Sequence, residues 1–292
     1  MISVIIPAYN EEEAIEDTVR SVHQVFAELG HAFEIVVIDD ASTDDTRRLL
    51  AGLRLPSLHV ITKTRNGGYG AALKTGLRRS RGDLIAIIDA DGSYPIAAFP
   101  LLLSEMTERG ADMVVGARTN HVAIPFTRRP AKSIVKLLAD TLTGMKIPDN
   151  NSGMRMFTRA LGERFMHLYP RGFSFTVTLT LAALTNDYLV TFVPIDYFNR
   201  KGRSSLSAGF NGIRNFASFL ALIVRITTYF RPLKFFVWPG GILLAVGLVT
   251  IIWTLIGDAN ISDAGLLLTL TGIQILLFGL LADIVARQRQ SS

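Results

Sequence analysis

Two aspartates, Asp89 and Asp91, follow the apolar run Leu84–Ile88, with one alanine between them. Two carboxylates held this close repel each other, so one must take up a proton unless a cation neutralises them. Hard divalent cations such as Mg²⁺ and Mn²⁺ prefer oxygen ligands and often share them with substrate phosphates. We therefore predict that Asp89 and Asp91 bind Mg²⁺ or Mn²⁺ together with a diphosphate. An acidic turn without a ligand is the alternative.

Polar residues also follow two other predicted strands. Asp39 and Asp40 end the run EIVVIDD, where a carboxylate can accept hydrogen bonds from a base N–H or from ribose hydroxyls. After the first strand, the sequence PAYNEE places Tyr9 to support a base and Glu11 to contact a ribose. For Tyr9, ordinary packing is the alternative.

Basic residues form a third group. Arg118 follows the fifth predicted strand, and Arg128 and Arg129 lie in PFTRRPAKS. The segment Arg200–Ser205 (RKGRSS) combines bases with a glycine and hydroxyls, which is the chemistry of a phosphate clamp. Solvated surface charge is the alternative for any one of these arginines.

The glycine run NGGYG, residues 66–70, precedes a predicted helix. Glycines here allow close approach of the backbone to a ligand, or simply a flexible turn. The run is not the G-x-G-x-x-G of dinucleotide-binding folds, and it follows the third strand rather than the first. The sequence also contains no G-x-x-x-x-G-K-[ST], which counts against a P-loop enzyme.

These residues depend on a sheet to bring them together. Apolar runs typical of strands alternate with amphipathic helical patterns. The predicted strands are Ile2–Pro7, Glu34–Asp40, His59–Thr62, Leu84–Ile88 and Met113–Gly116. This alternation predicts an α/β fold with a mostly parallel sheet. Ligands of such sheets bind outside the carboxyl ends of the strands. We therefore expect the polar clusters to converge on one crevice.

The composition of the 292-residue chain limits its class. The chain is 49% hydrophobic and carries a net charge of +5. It contains no cysteine, which excludes disulfides and cysteine-based sites. Its mean hydropathy is +0.33. A net positive charge is compatible with binding to nucleic acid, to anionic lipid or to a phosphorylated substrate. No cleavable signal peptide is evident at the N-terminus, which predicts that the first part stays in the cytoplasm.

The last third is far more apolar. The runs 235–256 and 264–286 are each long enough to cross a bilayer, although a pair of buried core helices is the alternative. The link GDANISD between the two runs contains two acidic residues and no basic one, while arginines and a lysine flank the two runs on their outer sides. Both outer ends of the two runs should therefore face the cytoplasm. Gly240, Gly241 and Gly247 suit helix packing, including packing in a homo-oligomer. We predict a catalytic domain at 1–206, interfacial helices at 207–234 and a transmembrane hairpin at 235–292 with a cytoplasmic C-terminus.

Seven segments in this order resemble one family: SVIIPAYNEE, VVIDDASTDDT, NGGYGAALKTG, DADGSYP, VVGAR, NSGMRMF and RKGRSS. They are similar to family 2 glycosyltransferases with a GT-A fold, and more narrowly to polyprenyl-phosphate glycosyltransferases of the dolichol-phosphate mannosyltransferase type. The resemblance covers about residues 1–206. It implies inverting, metal-dependent transfer of one sugar from a UDP- or GDP-sugar to a membrane polyprenyl phosphate, with no nucleic-acid partner.

The resemblance also implies roles for matching positions. The predicted nucleotide-binding residues are Pro7, Ala8, Tyr9, Glu11, Asp39, Asp40, Asn66 and Asp89. The predicted acceptor and phosphate-binding residues are Arg118, Arg129, Ser133, Arg200, Arg203 and Ser204. Asp89 and Asp91 would hold the metal ion, and Ser93 stands where relatives often place a further ligand. Asp91, Asp149 and Arg200 are the predicted catalytic residues, and Asp149 either acts in catalysis or orients Arg155.

A phosphate acceptor changes what the chemistry needs. A phosphate monoester has a second pKa near 6 and is largely dianionic at neutral pH, so it needs no general base. Positioning and charge neutralisation should then dominate. A processive polysaccharide synthase is the alternative, but the chain lacks its Q-x-x-R-W sequence. A nucleotidyltransferase would carry a glycine-rich loop after the first strand, where this chain has PAYNEE. A non-catalytic membrane-bound nucleotide-binding module is the alternative outside enzymes, and a module that serves only membrane recruitment would show no metal-dependent nucleotide binding.

Overall fold

The structure, a computed structural model, describes residues 1–119, 146–172, 174–200, 232–258 and 260–291. The described residues fall into two compact units, an α/β domain up to residue 200 and a helical hairpin from residue 232. Four predicted phosphate-binding residues lie outside the described residues: Arg129, Ser133, Arg203 and Ser204. Most of the predicted interfacial segment, 207–231, also lies outside them.

The α/β domain is built on one sheet. Its described strands are β1 (Ile2–Ala8), β2 (Phe33–Asp39), β3 (Leu58–Thr62), β4 (Leu84–Ile87), β5 (Met113–Arg118), β6 (Arg155–Thr158) and β7 (Val190–Ile195). They lie in the order β3-β2-β1-β4-β6-β5-β7. Neighbours pair in parallel except that β6 runs antiparallel between β4 and β5. The mostly parallel sheet predicted from the sequence is confirmed.

Helices connect and cover these strands. The described helices of the domain are α1 (Ile15–Glu28), α2 (Thr46–Gly52), α3 (Tyr69–Arg79), α4 (Phe99–Arg109), α5 (Arg159–Arg164) and α6 (Phe175–Thr185), with a 3₁₀ turn at Ile96–Ala98 before α4. The apolar face of α1 is fully buried, as the spacing of Ile15, Val19, Val22 and Phe26 predicts. Helix α4 ends at Gly110, whose φ of 60° is left-handed, so a glycine suits this C-cap.

The central strands are buried on both faces. Every residue of β1 is buried, and β2 is buried from its second residue onward. This is the expected state of parallel strands covered by helices on both sides, and it explains why their sequences are continuous apolar runs. The strands therefore form a rigid support, and the polar residues lie just beyond their carboxyl ends.

The second unit consists of α7 (Pro232–Asp258) and α8 (Asp263–Ser291). Both contain stretches long and apolar enough to cross a membrane, Phe235–Gly257 and Asp263–Ala286. Most of this apolar surface faces outward: the side chains of Trp238 and Trp253 are 71% and 79% exposed. Outward-facing apolar surface of this length is typical of helices in lipid rather than of helices in a soluble core.

Glycines bring the two helices together. A Cβ atom added to Gly272 would lie 2.6 Å from the backbone nitrogen of Leu244, and one added to Gly247 would lie 2.5 Å from that of Thr269. A Cβ on Gly240 would lie 2.9 Å from the side chain of Leu276, whereas Gly241 faces open space. Small residues thus serve close helix contact within the hairpin.

Candidate functional site

Those predicted site residues that the structure describes lie at one edge of the sheet. Strands β1, β2, β4 and β5 run in the same direction, so their carboxyl ends lie at this edge. Strand β6 starts there, because Arg155 pairs with Ile87 at the end of β4. Strand β7 ends there too, because Ile195 pairs with Arg118 at the end of β5. The topology thus brings chain segments that are far apart in sequence to one crevice.

Glu11, Asp91 and Arg200 meet at this edge. The Nη2 atom of Arg200 lies 3.3 Å from Oε1 of Glu11, and its Nε atom lies 3.6 Å from Oδ2 of Asp91. Burial raises the pKa of Glu11 to about 7, against the lowering effect of Arg200 and with further raising by Asp91 and Asp89. Arg200 thus contacts two carboxyl groups at this edge, and the charges of Arg118 and Arg155 also act on Asp89.

Two neighbouring residues, Tyr69 and Gly153, position the carboxylate of Asp89. The Tyr69 hydroxyl donates to its Oδ1 atom at 2.8 Å. A Cβ atom on Gly153 would lie 2.2 Å from Oδ2, so only a glycine leaves room for the carboxylate there. Burial, and then repulsion by Asp91, raise the pKa of Asp89 to about 6. The repulsion expected from the spacing of the two aspartates is thus present in the folded site.

Ser93 holds Asp91. Its hydroxyl donates to Oδ1 of Asp91 at 2.5 Å, and its backbone N–H donates to the same atom at 3.1 Å. Ser93 is fully buried. Its hydroxyl therefore positions Asp91 in this structure, and its role as a metal ligand stays a prediction.

The described residues contain no cluster of three or more histidine, aspartate or glutamate side chains arranged to hold a metal ion. A Mg²⁺ or Mn²⁺ ion bound by one or two carboxylates, with phosphate oxygens as its other ligands, does not need such a cluster. The mutual repulsion of Asp89 and Asp91, which a cation would relieve, fits this kind of site. The donor set is thus suited to a hard cation that arrives with a diphosphate.

Asp40 holds the glycine run. Its carboxylate accepts hydrogen bonds from the backbone N–H of Gly67 at 3.0 Å and of Gly68 at 2.7 Å, and it pairs with the ammonium group of Lys63. Asn66 accepts a second bond from Gly68 at 3.0 Å. Asp40 and Asn66 therefore order the loop before α3, and their contact with a nucleotide stays a prediction.

The glycines of this run contact the chain's own backbone. The N–H groups of Gly70 and Ala71 donate to the carbonyls of Gly172 and Arg171 at 3.1 and 3.0 Å. A Cβ atom on Gly70 would lie 2.2 Å from the carbonyl oxygen of Pro170. Close approach of the segment 170–172 thus explains the glycines Gly68 and Gly70, and approach of a ligand to this run stays a prediction.

The first two strands end in a set of loop contacts. Asp39 is fully buried, where it accepts from the backbone of Ser42 at 2.8 Å and pairs with Arg47 at 3.1 Å. Asn10 adopts a left-handed φ of 58°, and its side chain accepts from the backbone of Thr43 at 2.8 Å. Pro7 and Ala8 are buried, whereas Tyr9 is partly exposed at this edge. These contacts join the loops after β1 and β2.

Asp149 forms a close ion pair with Arg118. The Nε and Nη2 atoms of Arg118 lie 2.6 and 3.0 Å from the two carboxylate oxygens. Burial opposes ionisation of Asp149, but the hydrogen bonds and positive charge of Arg118, together with a bond from the backbone of Asn151, hold the pKa of Asp149 below its usual range. Arg118 also stacks over the ring of Tyr197, 5.2 Å from its centroid. An acid with a lowered pKa and both oxygens engaged is a poor general base.

Arg155 does not depend on Asp149 for its orientation. Its side chain is fully buried and donates to the carbonyl of Thr176 and the hydroxyl of Thr180, both at 2.9 Å, and to the carbonyl of Ser152. Burial lowers the pKa of Arg155. Helix α6 thus orients this arginine, and the partner of Asp149 is Arg118.

Sequence reasoning did not identify Tyr69, Lys63 or Gly153 as parts of the site. Lys63 directly follows β3, so its place at a carboxyl strand end was a usable signal. Tyr69 interrupts a glycine run, which was a weaker signal. Gly153 gave none, because the need for a missing side chain appears only when Asp89 is placed beside it.

Comparison with known families gives two matches. The model described as glycosyl transferase family 2 matches residues 3–168. The model described as GtrB C-terminal hairpin matches residues 231–287, which include α7 and most of α8.

Two named relatives span most of the chain. The low-salt glycan biosynthesis hexosyltransferase Agl6 of Haloferax volcanii is 28% identical over 291 residues, which cover 95% of this chain and 67% of the relative. The undecaprenyl-phosphate 4-deoxy-4-formamido-L-arabinose transferase of Pseudomonas paraeruginosa is 27% identical over 300 residues, which cover 98% of this chain and 85% of the relative. A solved structure of glucosyl-3-phosphoglycerate synthase from Mycobacterium tuberculosis with phosphoglyceric acid aligns with a TM-score of 0.59 and 21% identity, covering 77% of this chain and 80% of that one. At that identity the likeness concerns the fold alone.

Proposed function

The chain belongs to glycosyl transferase family 2, and from this membership we propose that it transfers one sugar from a UDP- or GDP-sugar to a polyprenyl phosphate in the membrane. It is a glycosyltransferase with a GT-A-like domain and two candidate membrane spans. The names of the relatives that act on undecaprenyl phosphate support the acceptor class. The apolar hairpin supports it as well, because a lipid acceptor has to be met at a membrane.

The observation that carries the proposal is the cluster of Glu11, Asp89 and Asp91 at the carboxyl edge of the sheet, with Arg200 against it. Asp89 and Asp91 would hold Mg²⁺ or Mn²⁺ against the donor diphosphate. When bound, such a cation neutralises the charge that builds on the leaving nucleoside diphosphate. Tyr69 and Ser93 fix the two aspartates, so these two side chains need little reorganisation when the donor binds.

The acceptor side fits a reaction without a general base. A phosphate monoester is already largely dianionic at neutral pH and attacks as it stands. Asp149, the acid in the predicted catalytic position, is engaged by Arg118 and has a lowered pKa. Its role in this proposal is to position Arg118, and the acceptor phosphate meets Arg118 and Arg200. Direct attack on the anomeric carbon gives inversion.

We infer that the hairpin α7–α8 anchors the enzyme, and the basic flanks of the two spans support a catalytic domain on the cytoplasmic side. Nucleotide sugars are soluble and would reach the site from that side.

A donor panel tests the proposal. Full-length protein in detergent is incubated with a polyprenyl phosphate, Mg²⁺ and each of several UDP- and GDP-sugars, and the lipid product is scored by mass spectrometry. We expect a lipid-linked sugar from at least one donor and none after chelation of the metal ion, and nuclear magnetic resonance of the product should show the anomeric configuration inverted.

Two controls make the result specific. The free polyprenol, which lacks the phosphate, should give no product, and Asp91→Ala should lose most of the activity. The absence of a lipid-linked sugar from every donor would refute the proposal. Equal transfer to the free polyprenol would refute the phosphate acceptor.

A further inference from the structure

Two carboxyl groups of the donor site, those of Glu11 and Asp91, share one guanidinium in contact with them, whereas Arg118 and Arg155 also act on Asp89. Glu11, Asp89 and Asp91 bring three carboxyl groups to the same crevice, and each of the other two raises the pKa of Glu11. Among the described residues, Arg200 supplies the cation in contact with Glu11 and Asp91. Asp149 is not one of these carboxyl groups, because it pairs with Arg118.

The contacts of Arg200 are loose. Its two distances to carboxylate oxygens are 3.3 and 3.6 Å, and its buried Nε atom has no hydrogen-bond partner among the described residues. The Arg118–Asp149 pair in the same domain is closer, at 2.6 and 3.0 Å, with both oxygens engaged. A guanidinium that is permanently bound to a carboxylate usually makes such short, bidentate bonds. Charge therefore holds Arg200 in place more than directional bonding does.

We propose that Arg200 is the resident counter-ion of the donor site and that an incoming divalent cation displaces it from Asp91 and Glu11. The proposal rests on the metal site assigned under the proposed function. In the ligand-free site, Arg200 partly neutralises the carboxylates. When a divalent cation arrives with the diphosphate, it takes over the contact with Asp91, and the released guanidinium is then free for a phosphate oxygen.

The exchange has a consequence for affinity. A metal ion that has to displace a guanidinium binds more weakly than it would to bare carboxylates, because the first contact must be broken. The wild-type site should therefore bind Mn²⁺ poorly in the absence of nucleotide. With a diphosphate present, the released arginine gains a new partner, and the two ligands should strengthen each other's binding.

Mn²⁺ binding tests the proposal without measuring turnover. Free Mn²⁺ is followed by electron paramagnetic resonance in titrations of full-length protein in detergent, without nucleotide. We expect Arg200→Ala to bind Mn²⁺ about tenfold or more tightly than wild type, since it removes a cation in direct contact with the site. Arg200→Lys, which keeps the charge, should stay close to wild type.

A matched variant separates contact from overall charge. Arg47 lies at the same edge of the sheet, but it pairs with Asp39. Arg47→Ala removes the same charge from the protein and should change the Mn²⁺ affinity by less than about twofold, because screening weakens distant charges. An equal gain in Arg47→Ala and Arg200→Ala would show a general charge effect and overturn the proposal.

Displacement itself has a separate readout. Phenylglyoxal modifies accessible arginines, and mass spectrometry of peptides gives the rate at each position. Saturating Mn²⁺ alone should raise the modification rate at Arg200 and leave that at Arg118 unchanged. An unchanged rate at Arg200, or Mn²⁺ affinity that is equal or lower in Arg200→Ala, would overturn the proposal. The donor panel is independent of these results, because sugar transfer does not require that Arg200 moves.

Discussion

Glu11 should make the stability of the ligand-free domain depend on pH. Its pKa rises from the ordinary 4.5 to about 7 in the folded domain, mainly through burial and against the effect of Arg200. Between these values the folded domain keeps a proton that the unfolded chain has lost. Stability therefore falls as the pH rises from 4.5 to about 7, and the loss is complete above the folded pKa.

The size of the effect follows from the same two values. A change of one pH unit over this window corresponds to about 1.4 kcal/mol, so the gap from 4.5 to about 7 amounts to about 3 kcal/mol. Glu11→Gln removes the ionisable group and keeps the shape and a hydrogen-bonding oxygen for Arg200. Relative to wild type, Glu11→Gln should gain up to about 3 kcal/mol of stability between about pH 4.5 and about pH 7.5.

The assay is urea unfolding of the full-length protein in detergent without metal ions, followed by circular dichroism at several pH values. Glu13→Gln is the matched control, because Glu13 is exposed in the same segment. It should track wild type across the range. The reasoning is wrong if the difference between Glu11→Gln and wild type stays constant with pH, or if it grows as the pH falls.

Three further predictions concern other contacts. Asp149→Asn should keep at least about a tenth of wild-type turnover per folded molecule. It should lose up to about 3 kcal/mol of stability, because it leaves Arg118 without its carboxylate. An Asp149→Asn variant that folds and binds donor but shows no turnover would contradict the base-free reaction. Gly153→Ala should displace Asp89 and weaken Mn²⁺-dependent nucleotide binding about tenfold in calorimetry. Gly52→Ala, whose added methyl group meets open space, should leave that binding unchanged. Equal nucleotide binding by the two variants would refute the steric role of Gly153. Gly272→Leu should destabilise the hairpin, whereas Gly241→Leu should leave its stability unchanged. Denaturation can be followed by tryptophan fluorescence, since both tryptophans lie in α7. Identical denaturation curves for the two variants would count against glycine-mediated packing.

The sequence predicted the parts of the fold that follow from local pattern. Continuous apolar runs gave the first five strands, and the length of the last two apolar runs gave the hairpin. Strand β6 was not predicted, since nothing local shows that residues 155–158 insert antiparallel between β4 and β5. Likewise, the sequence placed Asp149 near Arg155 in the chain, but the fold pairs it with Arg118, 31 residues away.

For the site, the sequence indicated which carboxylates end which strands, and the sheet brings those strand ends to one edge. It did not show how they are held. The bond from Tyr69 to Asp89 spans 20 residues and the contact of Glu11 with Arg200 spans 189, and both depend on the tertiary fold. The roles of these residues toward nucleotide, metal ion and acceptor stay predictions.

The loop before α3 has a consequence for how this domain can bind an anion. In many nucleotide-binding folds, free amides at a helix N-terminus hold the phosphates. Here Asp40 engages the amides of Gly67 and Gly68, and the carbonyls of Arg171 and Gly172 engage those of Ala71 and Gly70. Fixed backbone dipoles at this point are thus already satisfied. Under the proposed function, affinity for a diphosphate at this edge would then come from mobile charges, an arginine and a metal ion, which ionic strength and chelators can both control.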